Sequence, residues 1–139
     1  MRALVAIAVV ALLAAVPATA TTIRIKLVTT TATPVVDQPW RYTLTVRSGS
    51  GTPLRARVKL QLLLGTTVVG CWKAGAMRQC SGSTAGAWIS FRGKRTGVLR
   101  FPAESVGVRL TFRATVLVQG LTRKLRAPVT VQPAPAPLP

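Results

Sequence analysis

The sequence predicts an all-β fold, a two-sheet sandwich of seven or eight strands. Apolar and polar residues alternate with a period of two from Thr22 to Gln132, as strands with one buried face require. No apolar pattern of helical period persists beyond a turn or two after residue 20. Clusters of Gly, Ser and Pro interrupt the alternation at intervals of roughly ten to fifteen residues, the rhythm of a small antiparallel sandwich. A small barrel built from the same strands is the alternative.

The first strand alternates Ile23, Ile25 and Leu27 with Arg24 and Lys26, and it ends in the threonine run before Pro34. After Pro39 a second strand places Trp40, Tyr42, Leu44 and Val46 on one face and Arg41, Thr43, Thr45 and Arg47 on the other. SGSGTP at residues 48–53 supplies its turn. The third strand has the cleanest pattern, with Ala56, Val58, Leu60, Leu62 and Leu64 against Arg55, Arg57, Lys59 and Gln61, until Gly65 breaks it. Residues 67–72 read as a short strand entering a cysteine loop, and residues 87–92 as another leaving the small-residue stretch 81–86. GKRTG at residues 93–97 reads as a hairpin turn into a strand over 98–101 that Pro102 ends. In the next strand Val108, Leu110, Phe112, Ala114 and Val116 point inward and Arg109, Thr111, Arg113 and Thr115 outward. Gln119-Gly120 turns the chain into a last strand, where Leu125, Ala127, Val129 and Val131 oppose Lys124, Arg126 and Thr130.

Two of these segments resemble bacterial immunoglobulin-like domains of exported, actinobacterial-type proteins of unknown function. PWRYTLTVRSGSGTPLRARVKLQLL, residues 39–63, is similar to their strand-turn-strand unit, and VGVRLTFRATV followed by LRAPVTV to their closing hairpin. The likeness lies in alternation and turn chemistry. It implies an immunoglobulin-like Greek-key sandwich with adhesion or spacing roles and no chemistry. Two departures stand out. Cys71 and Cys80 are too close in sequence to bridge two sheets, and the third strand has no tryptophan.

The expected organisation is a signal peptide over residues 1–20, one sandwich domain over 21–132 and a Pro/Ala-rich disordered tail over 133–139. Arg2, the apolar run 3–16, Pro17 and the small residues of Ala18-Thr19-Ala20 point to cleavage after Ala20. The run is shorter than the ~20 residues a bilayer-spanning helix needs. The expected location is therefore secreted or associated with the cell envelope. Export places Cys71 and Cys80 where thiols oxidise. A bridge between them closes the loop CWKAGAMRQC and contributes about 2.7 kcal/mol on the chain-entropy account. A reactive pair is the other reading, with Lys73 and Arg78 lowering a thiol pKa.

The 139 residues contain 19 Lys plus Arg and two Asp plus Glu, a net charge of +17. Loss of Arg2 with the leader leaves 18 basic residues and two acidic ones, a net +16. Such a field attracts polyanions through long-range attraction and counterion release. Arg outnumbers Lys 14 to 5 and Asn is absent, so GC-rich coding is a second explanation for the charge. Outward positions place Arg55, Arg57 and Lys59 on one face, Arg109 and Arg113 on another, and Lys124 and Arg126 on a third. Immunoglobulin-like topology makes those strands neighbours and merges their side chains into one patch. The patch suits an anionic envelope polymer or an extracellular protein, its guanidinium forks matching phosphate or carboxylate groups. A merely solvated face fits the same residues. Trp88 alternates opposite Ile89 and Phe91 and reads as an exposed aromatic near Arg92, Lys94 and Arg95.

Catalytic equipment is scarce. With no histidine, a Ser or Cys nucleophile lacks its usual base. Asp37 and Glu104 are the sole carboxylates. They read as turn residues, the alternative being an acid-base pair acting on a glycoside. GKRT is not a phosphate loop, because Trp88 stands where its first glycine belongs. No metal site, cofactor, dedicated nucleic-acid motif or transmembrane span beyond the leader is expected. A cationic effector acting on membranes would need an amphipathic stretch, and none follows the leader. The expectation is a non-catalytic exported module.

Overall fold

The computed structural model describes residues 22–138. The leader and its predicted cleavage site lie outside them. Among the described residues nine strands form two antiparallel sheets: β1 Ile23–Thr29, β2 Trp40–Ser48, β3 Arg55–Leu64, β4 Thr67–Lys73, β5 Ala76–Gln79, β6 Ile89–Arg92, β7 Lys94–Leu99, β8 Arg109–Val118 and β9 Leu121–Thr130. A 3-10 turn, Ala103–Ser105, precedes β8.

The smaller sheet has the order β1-β2-β7 and the larger the order β5-β4-β3-β8-β9. β6 pairs with the first half of β3, on the edge that β4 occupies further along. The chain crosses between sheets after β2, after β6 and again after β7. First, second and seventh strands thus face third, eighth and ninth in the Greek-key order of an immunoglobulin-like sandwich. Residues 32–36 run parallel to the end of β9, with the Gln132 amide donating to Pro34 O (2.7 Å) and the Val36 amide to Gln132 O (2.9 Å). Residues 133–138 follow outside any strand and are exposed.

The core lies between the inner faces that the alternation defined. Trp40, Tyr42, Leu44 and Val46 of β2 are buried against Val58 and Leu60 of β3 and Phe112, Ala114 and Val116 of β8. The third strand has no tryptophan, and Trp40 of the second takes the centre. Its ring meets Phe101 and Phe112 edge to face at 5.5 and 5.1 Å, and its indole N–H donates to Thr31 O at 2.7 Å. The large aromatic area is therefore buried with its polar atom satisfied.

Two expectations need correction. The strands of the described residues number nine rather than seven or eight, partly because residues 76–79 fold back on β4 inside the cysteine loop. GKRTG is not a hairpin turn. Gly93 alone makes the bend, at φ +70°, where the chain steps from β6 in the larger sheet to β7 in the smaller. A Cβ there would lie 2.5 Å from Pro53 Cβ. The period-two pattern through residues 94–99 was masked by a charge at an inward register. Arg95 is paired opposite Leu44 and donates from Nε to the buried Tyr42 hydroxyl at 3.1 Å.

Candidate anion-binding face

The outward face of the larger sheet follows from its register. Lys59 of β3 stands opposite Thr115 of β8, which stands opposite Lys124 of β9. One row along, Gln61 faces Arg113, which faces Arg126. Arg57 pairs with Leu117, and Arg109 with Thr130. Because directly paired residues share a face, Arg55, Arg57, Lys59, Arg109, Arg113, Lys124 and Arg126 all belong to one surface. β6 adds Arg92, directly opposite Arg55, to the residues that alternation alone assigns to the patch.

The middle of this face is covered. The Cys71–Cys80 disulfide, with Cα atoms 5.7 Å apart, ties residues 80–87 over β3. Lys59 Nζ donates to Thr84 O at 2.8 Å, and Gln61 Nε2 donates to Ser83 O at 3.0 Å and Ala85 O at 2.7 Å. Three consecutive carbonyls of this flap therefore point down at the sheet. Cys71 is fully buried, whereas its neighbour Trp72 turns to the other side and packs against the core. Tryptophan packing on the bridge, which adjacency in sequence invites, does not occur, because adjacent strand residues point to opposite faces.

The flap changes the role of Arg113. It was expected among the outward anion-binding residues, but it is only 8% exposed. Its Nε donates to Gln61 Oε1 at 3.1 Å, and its Nη2 reaches the same oxygen. Burial, and secondarily the charge of Arg126, holds its pKa below the ordinary arginine value. Arg113 is thus a cation anchored beneath the flap, and the free part of the patch is Arg55, Arg57, Arg92, Arg109, Lys124 and Arg126. No signal in the sequence foretold this, since the flap residues are small and neutral.

Trp88 leaves the flap onto the same face and is 41% exposed. Lys59 Nζ lies 4.6 Å and Arg57 Cζ 5.5 Å from its ring centroid, a double cation-π contact that ties the indole to the basic row. Beside it a depression of about 630 Å³ is lined by Arg55, Arg57, Ser90, Arg92, Leu117 and the β8–β9 turn.

Basic residues also occupy the outward face of the smaller sheet, where Arg24, Lys26, Arg41, Arg47 and Lys94 are exposed. Asp37 and Glu104 are exposed outside the strands, in the β1–β2 connection and the 3-10 turn. Arg100 reaches the Asp37 backbone carbonyl, at 2.6 Å, rather than its carboxylate. Glu104 borders an apolar cleft of about 530 Å³ between Met77, Leu62 and Leu110 whose lining does not include Asp37. Among the described residues no helix is long and apolar enough to cross a membrane.

Fold and site together define an all-β two-sheet sandwich with one disulfide and a broad basic sheet face. No family model matches the chain, and no curated protein matches it. Among solved structures it is similar to the sporulation control protein Spo0M from Bacillus subtilis, at 9% identity and a TM-score of 0.43. The match covers 80% of this chain and 49% of Spo0M, so the chain spans about half that protein's length.

Proposed function

We propose that the chain is a non-catalytic, exported immunoglobulin-like module that associates with the anionic cell envelope through the outward face of its larger sheet. One observation carries the reading: the register of β3, β8 and β9 puts basic residues from three strands on one surface, and both carboxylates lie outside the strands. Lysine and arginine so placed bind a repeating anion by displacing its counterions. Guanidinium forks add directional bonds to phosphate or carboxylate oxygens. The leader pattern of residues 1–20 supports export, and the disulfide fits an oxidising compartment.

The test is binding of the mature protein to purified envelope polymer at two salt concentrations. Affinity falls steeply between low and high salt. Neutralising Arg109, Lys124 and Arg126 weakens it more than neutralising Arg24, Lys26 and Arg41 on the opposite sheet. Equal losses from the two faces, or binding insensitive to salt, would overturn the proposal. A rival reading has Asp37 and Glu104 acting on a glycan. It requires that replacing both with amides abolish the protein's biological activity, which a binding module retains.

A further inference from the structure

We infer that the depression formed by Arg55, Arg57 and Arg92 is a discrete seat for one tetrahedral phosphate of a phosphodiester-linked envelope polymer. The inference rests on the polyanion reading of the larger sheet and gives that face a specific subsite.

The first observation is a like-charge pair. Arg55 and Arg92 are directly opposed on antiparallel strands, an arrangement that destabilises a sheet unless something relieves it. Two other opposed arginine pairs occur, and each has relief. Arg113, opposite Arg126, is folded onto Gln61 Oε1, and Arg47, opposite Arg24, donates to Gly51 O at 3.2 Å. Among the described residues the arginines whose side chains donate hydrogen bonds are Arg47, Arg78, Arg95, Arg100 and Arg113. Arg55, Arg57 and Arg92 keep all their donors free.

The second observation is shape. These three side chains line a concavity of about 630 Å³, together with Ser90, whose hydroxyl is a further donor. Arg109, Lys124 and Arg126, on the same face, do not line it. A carboxylate is satisfied by a single guanidinium fork, whereas a phosphate offers oxygens in three directions and suits several forks converging on it. The concavity exceeds one phosphate in size and is open, so the polymer's neighbouring units can pass through it.

The third is the indole. Arg57 both lines the depression and lies 5.5 Å from the Trp88 centroid. An anion that draws Arg57 toward the cleft weakens that contact, which makes Trp88 a built-in reporter.

The experiment titrates the mature protein with poly(glycerol phosphate), with polygalacturonate of matched charge and with a thymidine oligonucleotide, following tryptophan emission and affinity. Trp88→Phe identifies the responsive indole. The expected result is binding of poly(glycerol phosphate) about tenfold tighter than polygalacturonate. Arg55→Gln with Arg92→Gln lowers that affinity by about tenfold and removes the preference. Arg109→Gln with Arg126→Gln, equal in charge, costs only about twofold to threefold and keeps the preference. Equal losses from the two double variants, with the preference unchanged, overturn the seat and leave the polyanion reading standing. Tighter, Arg92-dependent binding of the oligonucleotide overturns the envelope-polymer assignment. Absence of binding to any of the three overturns seat and reading together. All four arginines are exposed strand residues, and retention of the wild-type melting midpoint confirms that the variants fold.

Discussion

Gln61→Met, Arg113→Met and the double variant form a cycle that tests the buried pair beneath the flap. Gln61 is 1% exposed and makes four contacts, accepting twice from Arg113 and donating to Ser83 O and Ala85 O. Methionine approximates the volume of glutamine but removes every bond. In Gln61→Met the Arg113 guanidinium, 8% exposed, loses its acceptor, and stranding a buried charge costs about 3–5 kcal/mol. The two flap bonds are lost as well, at about 1 kcal/mol each, and a total loss of about 6 kcal/mol lowers the melting midpoint of a domain this size by roughly 30 °C. Arg113→Met leaves one buried carbonyl oxygen unpaired but keeps the two flap bonds, for a loss of about 2 kcal/mol. The double variant strands no charge and loses chiefly the two flap bonds, about 3 kcal/mol once packing adjustments are included. The single losses therefore exceed the double by about 5 kcal/mol. The assay is urea denaturation with the disulfide intact. Additivity within about 0.5 kcal/mol would refute the claim that Arg113 is held by Gln61.

Reduction of Cys71–Cys80, or its replacement by a pair of alanines, lowers stability by about 2–3 kcal/mol. It also raises amide hydrogen exchange selectively in residues 81–87, and uniform exchange would contradict the staple. Gly97→Ala destabilises by about 2–3 kcal/mol in urea, because its Cβ would run into the fully buried Tyr42 ring. An unchanged midpoint would show that the Tyr42 ring can move off β7 without cost. Stability stays flat between about pH 5 and pH 9, since no histidine is present. Arg113 has a lowered folded-state pKa, so the cost of burying its charge persists across that window and is relieved only as pH rises through that pKa. Urea midpoints that shift across the window would reveal a titrating group the structure does not contain.

The faces of the strands were legible before any pairing was known. Ala56, Val58, Leu60 and Leu62 went inward and Arg55, Arg57 and Lys59 outward because side-chain direction follows the local pleat. The same local rule misled at residues 93–97, where an inward Arg95 satisfied by Tyr42 looked like turn chemistry. Arg92 was overlooked for the opposite reason: its face was plain, but its partner Arg55 lies 37 positions away and only the β3–β6 register joins them.

Composition and alternation by themselves determined a β chain with one close pair of cysteines, a large positive charge and basic residues on outward strand positions. Tertiary structure alone decided which of those residues act together. Gln61 and Arg113 are separated by 52 positions. Whether Arg113 meets solvent or an amide oxygen depends on a flap from a third part of the chain. Side-chain direction is set within a residue or two by backbone geometry, whereas neighbourhood across a sheet is set by which long loops close and in what register. The basic face could therefore be drawn strand by strand from the sequence, while its covered centre and its arginine-lined hollow required the fold.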